Sequence, residues 1–168
     1  MELAVALIIG AIVIGFAMPS MQRLVRSSNV TAEVNRLVAS INLARSEAVK
    51  RNVAVSVASK GNGTDYSDGW WVFVDVDSPN SGNTAYQPGN DILVEDAEPV
   101  ADAVSISVDP AQRWISYGGS GFLREDVPSI DIWVCADNAE SAVEQRHITI
   151  SRSGRPSVET PDELNGGC

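Results

Sequence analysis

The hydrophobic residues of this chain follow two different periods, and the change between them divides the sequence. Residues 3–18 form an uncharged apolar run of sixteen residues that ends before Pro19. Beyond this run, apolar positions recur every three or four residues as far as residue 48, which is typical of an amphipathic helix. The pattern predicts one helix of about fifty residues, apolar all round in its first half and along one stripe in its second. The predicted stripe consists of Val30, Val34, Leu37, Ile41, Ala44 and Ala48.

The uncharged run has the composition of a membrane-spanning helix. Sixteen helical residues extend over roughly 24 Å, slightly less than the hydrocarbon core of a bilayer, so residues 19–21 are expected to complete the crossing. A secretory signal peptide would instead show a basic segment, a shorter apolar core and a small-x-small cleavage site. Because these features are missing here, we interpret residues 3–18 as a transmembrane or helix-packing segment.

From residue 53 onward the apolar positions alternate with polar ones, as they do in β-strands. Turns rich in Gly and Asn separate the alternating segments. One long helix in residues 1–52 followed by a β-rich head in residues 53–168 predicts an α+β fold, with a mostly antiparallel sheet packed on the helix stripe. Strands are predicted at residues 53–57, 70–76, 92–94, 104–108, 114–117, 130–134 and 147–151.

Charge is distributed unevenly between the two parts of the chain. Residues 20–52 contain six basic and two acidic residues, whereas residues 53–168 contain six basic and nineteen acidic ones. A strongly acidic surface disfavours general binding to nucleic acid, which needs basic side chains to neutralise phosphates. The helix arginines are expected to pair with carboxylates of the same or a neighbouring head, although the acidic surface also serves solubility alone.

The sequence offers little evidence of catalysis, and no catalytic, cofactor-binding or metal-binding residues are predicted. The chain has one histidine, His147, and no nucleophile motif surrounds it. Residues 75–80 resemble the start of a calcium loop but have Pro79 at a ligand position, which leaves a calcium site there as a weak alternative. The tryptophans are interpreted as core and rim of the sheet rather than as a ligand cage; they are Trp70, Trp71, Trp114 and Trp133.

Several separate motifs, taken together, resemble a known family. The N-terminal segment has Glu2-Leu3 before the apolar run and Pro19-Ser20 after it, and residues 42–51 read NLARSEAVKR. Residues 69–75 read GWWVFVD and residues 146–155 read RHITISRSGR, in the same order as the later motifs of that family. On these motifs, which cover nearly the whole chain, the sequence is similar to the type IV pilin-like proteins of the GspH/FimT/FimU group.

The resemblance implies a structural role for two residues of the helix. Glu2 is expected to pair with the N-terminal amine of the adjacent subunit as the protein enters a filament, since a carboxylate in an apolar helix end is costly without a partner. Pro19 resembles the helix-bending proline of the family, because its ring removes one helical hydrogen bond. The implied partners are other minor pilins and a major pilin, with no cofactor and no nucleic acid.

The resemblance also implies where the protein works. Members of the group begin with a short basic leader that is cut after Gly and before an N-methylated Phe, and this sequence starts about three residues inside the expected mature protein. Arg23 and Arg26 alone would place the head in the cytoplasm, but a basic leader reverses that count. We therefore expect a single-pass inner-membrane protein with a periplasmic head, later part of a pilus or pseudopilus filament of a Gram-negative bacterium.

The two cysteines favour an oxidising compartment. Cys135 lies in a predicted strand, and Cys168 is the last residue, where it has no core to enter. A disulfide bond between them would close a loop of about 34 residues and stabilise the fold by about 3 to 4 kcal/mol. Such bonds persist in the periplasm rather than in the cytosol. We predict that this bond anchors the C-terminal tail.

Three functions remain open at the level of the sequence. The leading interpretation is a non-catalytic minor pilin that starts or caps type IV pilus assembly. The first alternative is a minor pseudopilin of a type II secretion system. The second is a DNA-binding pilin for natural transformation, which some relatives achieve through a Gly-Arg-x-Arg motif. Here residues 154–157 read GRPS, so only Arg152 and Arg155 are candidate DNA contacts.

Overall fold

One helix, α1, occupies the first third of the chain. A computed structural model describes residues 2–61, 63–76, 85–109, 114–124, 128–139 and 141–163, with side chains in the helix described from residue 21 on. Helix α1 runs over Glu2–Arg51, which confirms the single long helix of 50 residues, and Pro19 lies inside it. Asn52, with φ of 54°, follows the last turn in the left-handed conformation that commonly ends helices.

The apolar stripe of α1 is the surface on which the head packs. Val34 is 2% exposed and the other five predicted stripe residues are fully buried. On the same helix, nearer its N-terminus, Met21 and Leu24 are 62% and 65% exposed. The head therefore covers α1 from Val30 onward and leaves the preceding turns uncovered.

In the described parts of the chain, eight strands form two four-stranded sheets that are antiparallel throughout. The first sheet has the strand order β3-β2-β1-β5 and the second has the order β4-β6-β7-β8. The strands are β1 Val55–Ser59, β2 Trp70–Val74, β3 Ile92–Ala97, β4 Val104–Asp109, β5 Trp114–Tyr117, β6 Ser129–Ala136, β7 Gln145–Ser151 and β8 Pro156–Glu159. A short 3-10 helix, Ala142–Glu144, precedes β7.

The predicted fold is confirmed as a long helix packed on antiparallel sheets, but the strand count and the number of sheets differ from the expectation. Strand β8 was not predicted because it begins with a proline and contains one apolar residue, Val158, which is 45% exposed. Two sheets form instead of one because β5 returns to pair with β1, whereas β4 pairs with β6. Local alternation of apolar residues carries no information about such long-range pairing.

Helix α1 lies across the inner faces of both sheets and contacts strands of each. The buried residues of the helix and of the two sheets form one continuous core. Strand β1 lies inside the first sheet and is buried along its whole length. This shared core fixes the head on the second half of the helix.

The predicted membrane segment, residues 3–18, belongs to the part of α1 whose side chains lie outside the described residues. Within the described parts of the chain, the structure contains no helix that is both long and apolar enough to cross a membrane.

Candidate functional site

The two predicted assembly residues lie on α1, on the N-terminal side of the head. Glu2 is the first residue of the helix and Pro19 falls within it, but the side chains of both lie outside the described residues. Just beyond them, Met21, Leu24 and Val25 present an exposed apolar surface. Their roles in assembly stay predictions, and the described part of the site is the connection between this helix and the head.

A first polar connection joins the middle of α1 to the loop between β3 and β4. Glu33 Oε1 accepts a hydrogen bond from the backbone N–H of Ala101 at 3.0 Å. Arg36 donates from Nη2 to the carbonyl oxygen of Glu98 at 2.9 Å and pairs with Glu33 Oε2 at 2.9 Å. The guanidinium of Arg36 also lies 4.8 Å from the ring centre of the fully buried Trp70. These contacts fix the rotation of the helix relative to the first sheet.

A second connection lies nearer the exposed part of the helix. The carboxylate of Glu144 is fully buried and accepts a hydrogen bond from the backbone N–H of Ser141 at 3.1 Å. Arg26 Nη1 approaches Glu144 Oε1 at 3.7 Å. Arg146 Nη2 donates to Thr31 Oγ1 at 3.2 Å. The second sheet is thereby attached to the first turns of the helix that it covers.

A third connection joins two of the motifs on which the family resemblance rests. Arg45, within the NLARSEAVKR segment, donates from Nε to the carbonyl oxygen of Gly121 at 3.0 Å and from Nη2 to that of Ser153 at 3.1 Å. Ser153 and Gly154 belong to the turn between β7 and β8. Gly154 has φ of 79°, and a Cβ at this position would lie 2.4 Å from the carbonyl oxygen of Gly121. The RSGR segment is therefore a tight turn held against the helix by Arg45.

Removing the charge of Arg45 tests this third connection. Arg45→Met keeps the apolar stem but leaves the carbonyl oxygens of Gly121 and Ser153 without their donor, so we expect a loss of about 2 kcal/mol in the free energy of unfolding. The matched control is Arg51→Met on the same helix, which removes only an exposed pair with Glu47 and should cost about 0.5 kcal/mol. Urea denaturation of the full chain in detergent measures both, and equal losses for the two variants would contradict the assignment.

The last turn of α1 carries a pH-dependent ion pair. Arg51 Nε lies 2.6 Å from Glu47 Oε2, and Lys50 Nζ lies 3.3 Å from Oε1. The hydrogen bonds from Arg51 and then Lys50 hold the pKa of Glu47 below its ordinary value of 4.5. A lowered pKa stabilises the fold above the unfolded-state pKa, and this contribution is lost as the pH falls through the folded-state pKa.

We therefore expect Glu47→Gln to be less stable than the unmodified protein at neutral pH, and the difference to vanish in acid below the lowered pKa. Urea denaturation across this pH range measures the difference. A stability gap that persists unchanged in strong acid would show that Glu47 acts through packing rather than through its charge.

The candidate DNA contacts lie at the tip of the β7–β8 hairpin. Arg152 and Arg155 flank the turn and are both exposed. The turn itself is closed by hydrogen bonds from Gly154 N–H to the Ser151 oxygen at 2.7 Å and from Ser151 N–H to the Arg155 oxygen at 3.2 Å. The geometry thus assigns this motif a structural role, and DNA contact by the two arginines stays a prediction.

The structure describes one of the two cysteines of the predicted disulfide bond. Cys135 is 3% exposed in β6 and is not a free thiol. Cys168 lies outside the described residues, so the pairing itself stays a prediction. Close to Cys135 in the sheet, Gln145 is fully buried and donates from Nε2 to the carbonyl oxygen of Glu163 at 2.7 Å. The chain after β8 therefore returns over this end of the second sheet.

The remaining chemistry-bearing residues form no catalytic arrangement that the described parts of the chain reveal. His147 lies in β7 between β6 and β8, stacked on Trp133. Trp70 belongs to the core, whereas Trp71 packs against Tyr86 with ring centres 5.3 Å apart. Among the described residues no group of three His, Cys, Asp or Glu side chains is arranged to hold a metal ion. Residues 77–80, which are most of the calcium-loop resemblance, fall outside those residues.

Comparison with known proteins places the chain in a family. The family model described as Type II transport protein GspH matches residues 33–154, which include the covered part of α1 from Glu33 onward and all described strands except β8. The chain therefore belongs to the GspH family of pilin-like proteins. No curated protein matches the chain.

Solved structures share the same fold. Two crystal forms of the type IV minor pilin FimU of Pseudomonas aeruginosa align with TM-scores of 0.63 and 0.60 at 20% and 19% identity. The alignments cover 81% and 79% of this chain and 95% and 98% of FimU. The minor pseudopilin EpsH of the type 2 secretion system of Vibrio cholerae aligns at 11% identity with a TM-score of 0.54, covering 80% of this chain and 99% of EpsH. At these identities the similarity establishes the pilin fold.

Proposed function

We propose that this chain is a non-catalytic minor pilin that co-assembles with other pilins to start or cap a type IV pilus. The observation that carries the proposal is the part of α1 that the head leaves uncovered. At 1.5 Å per residue the helix is about 75 Å long, and the head buries its stripe only from Val30 onward. Met21 at 62% and Leu24 at 65% exposure need lipid or other apolar helices around them.

The proposed order of events follows from the two parts of α1, the part that the head covers and the part that it leaves uncovered. Before assembly, residues 3–18 hold the protein in the inner membrane with its head in the periplasm, and Glu2 then pairs with the terminal amine of the adjacent subunit as the helix enters the filament. An oxidising compartment agrees with the predicted bond between Cys135 and Cys168. The implied partners are other minor pilins and the major pilin, which contact both the uncovered helix and the head.

The second candidate is a minor pseudopilin of a type II secretion system. One observation favours it: the matching family model is described as a type II transport protein. Both functions use the same helix and the same kind of polymerisation, so they differ in the machine that the subunit joins. DNA capture is not proposed, since the head is acidic overall and the arginine motif forms a tight turn.

The location of the protein in its host tests the proposal. We expect an epitope-tagged chain to appear in filaments sheared from the cell surface, together with the major pilin. A protein found only in the membrane fraction of cells that carry normal pili would overturn the proposal. The same tag in secretion pseudopili, and absent from pili, would favour the second candidate.

A further inference from the structure

A surface groove lies between the last three turns of α1 and the turn that follows β5. Its volume is about 450 Å³. No carboxylate is among its described lining residues, and five of these residues carry side-chain N–H or O–H donors: Asn42, Arg45, Ser46, Lys50 and Ser120. We call this space the α1–β5 groove. Its lining is complementary to an anionic group.

Both walls of the groove are fixed by the fold. On the helix wall, Asn42, Ser46 and Val49 are exposed and recur at spacings of four and three, so they lie on one face. The opposite wall is a turn closed by a hydrogen bond from the N–H of Gly121 to the carbonyl oxygen of Gly118 at 2.8 Å. A Cβ on Gly121 would lie 3.0 Å from Val49 Cγ2, so the turn rests directly on the helix. The groove is therefore preformed, as ligand sites usually are.

Arg45 joins the two walls and still has donors to offer. Its Nε and Nη2 donate to the carbonyl oxygens of Gly121 and Ser153, which are neutral acceptors. Its Nη1 takes part in none of the described hydrogen bonds, and no described carboxylate forms an ion pair with this guanidinium. A guanidinium held in this way is oriented before a ligand arrives.

The end of the helix that forms one wall is basic, in contrast to the head. Residues 44–51 contain three basic residues and one carboxylate, Glu47, whereas residues 53–168 contain six basic and nineteen acidic residues. Glu47 is shared between Lys50 and Arg51. The Lys50 side chain is 73% exposed, and its ammonium group has two further N–H donors. A carboxylate that approaches the acidic head is therefore attracted to this groove and repelled by most of the remaining surface.

We propose that the α1–β5 groove binds a carboxylate side chain from the head of a neighbouring subunit, an inference that rests on the proposed function as a filament subunit. The carboxylate accepts hydrogen bonds from Arg45 and Lys50. Asn42 and Ser120 donate to the same group or to the backbone that carries it. Val49, which is 52% exposed, contacts the apolar stem of the incoming side chain.

The position and the chemistry of the groove favour a protein head over other anionic partners. Arg45 lies twenty residues beyond Val25, which places it roughly 30 Å farther along the helix axis, away from lipid headgroups at the uncovered end. Nucleic acid would bring a row of phosphates against the acidic head, whereas a single carboxylate enters the groove alone. The contact with Val49 also matches a carboxylate on an apolar stem better than a bare phosphate.

A peptide titration tests the groove without requiring a filament. The full chain, labelled with nitrogen-15 and kept in a non-ionic detergent, is titrated with acetyl-Gly-Glu-Gly-Glu-Gly-amide and with the same peptide carrying glutamine instead of glutamate. The Nε–H resonance of Arg45, identified by its loss in Arg45→Met, reports binding. We expect a saturable shift with the glutamate peptide and an affinity roughly fivefold weaker for the glutamine peptide, because hydrogen bonds to a charged acceptor are the stronger ones.

Two matched variants make the result specific. Asn42→Asp places a negative charge in the groove and should weaken binding of the glutamate peptide roughly fivefold. Asn35→Asp makes the same change at an exposed position two turns earlier on the same face, roughly 10 Å away, and should leave binding nearly unchanged at physiological salt. Equal losses for the two variants, equal responses to the two peptides, or no saturable shift would overturn the proposal.

Two other occupants give distinct outcomes. Glu125 and Asp126 follow the turn in the sequence and lie outside the described residues. If the glutamate peptide bound only to the protein that carries Glu125→Gln and Asp126→Asn, the groove would belong to the chain's own carboxylates. Tighter binding of a thymidine trinucleotide, which carries two phosphates as the peptide carries two carboxylates, would assign the groove to phosphate. Either outcome would overturn the proposal.

Cross-linking in cells identifies the neighbour. A photo-reactive residue at position 46 of the full chain is expected to form an adduct with another pilin subunit at a peptide that contains Asp or Glu. The yield should fall when Asn42→Asp is added and stay unchanged when Asn35→Asp is added. Adducts only within the same chain, or with no pilin, would refute the assignment. Because the titration needs no filament, its failure alongside correct appearance in sheared pili would refute the groove and leave the proposed function standing.

Discussion

Gly154→Ala is expected to destabilise the protein by about 3 kcal/mol, which corresponds to a fall in Tm of roughly 10 °C. Gly154 has φ of 79°, and an added Cβ would meet the carbonyl oxygen of Gly121 at 2.4 Å and Tyr117 Cε1 at 2.7 Å. Neither a backbone carbonyl nor a fully buried tyrosine ring can move away without disturbing the core. Thermal denaturation of the full chain in detergent measures the effect.

A variant at a second glycine, Gly89→Ala, distinguishes the effect of backbone strain on stability from the effect of the steric clash. Gly89 has φ of 94°, and an added Cβ there meets no atom within 4 Å. Gly89→Ala should therefore cost only the strain of the left-handed conformation, about 1 kcal/mol. If both variants lost the same stability, the close packing of the β7–β8 turn against Gly121 and Tyr117 would be the wrong explanation.

Glu2→Ala is expected to leave membrane insertion intact and to prevent incorporation into filaments. Under the proposed function, this change leaves the terminal amine of the adjacent subunit without its partner in an apolar environment, which costs about 3 kcal/mol or more. That free energy corresponds to a fall of roughly 100-fold in the assembly equilibrium. Immunoblots of sheared filaments and of membranes from the same cells measure the two outcomes.

Two matched variants define what Glu2 contributes. Glu2→Gln keeps the size of the side chain and removes its charge, so it should also fail to assemble. Glu47→Ala removes a carboxylate from the far end of the same helix, where its described partners are Arg51 and Lys50, and should assemble normally. Normal incorporation of the Glu2→Gln protein would rule out charge pairing as the role of Glu2.

The helix was predictable because its signal is local and repeated. Apolar residues at spacings of three and four form a stripe on a helix independently of contacts with distant parts of the chain. All six predicted stripe residues are buried. Its C-terminal end was close to the predicted boundary, since the alternating pattern of strands begins within a few residues of Asn52. Seven of the strands also coincide with predicted segments, although the ends of most of them differ by a few residues.

The division into two sheets was not predictable because strand order depends on contacts between distant residues. Strands β1 and β5 pair across about 60 residues of chain, as the hydrogen bond between Ser56 and Ser116 illustrates. Hydrophobic alternation tells which face of each strand is buried, but not which strand is its neighbour. The eighth strand has too few apolar residues to show any alternation at all.

The sequence analysis expected the helix arginines to pair with carboxylates of the head, as Arg26 does with Glu144. For the same reason it could not identify the partners of Arg36 and Arg45. Arg45 and Ser153 are 108 positions apart, yet the Arg45 side chain donates to the Ser153 carbonyl. Arg36 similarly stacks on Trp70, which belongs to the GWWVFVD segment. The motifs that carry the family resemblance thus meet on the helix, and their common physical role is to dock the head.

The contacts between helix and head indicate that the family motifs hold the head in a fixed orientation on α1. Three polar connections, at Arg26, Arg36 and Arg45, are distributed along the covered part of α1 and attach it to both sheets. A head fixed in this way turns with its helix when the uncovered part packs among other helices. The orientation of the outer sheet face is therefore fixed relative to the helix.

Deletion of the gene in its host, with sheared surface filaments and secreted proteins measured side by side, tests the central claim most directly. The account predicts that the deletion strain loses pili while its secreted proteins remain normal, and that the unmodified gene restores the pili. Intact pili in the deletion strain, with exoproteins retained in the periplasm, would contradict the account and assign the subunit to the secretion machine.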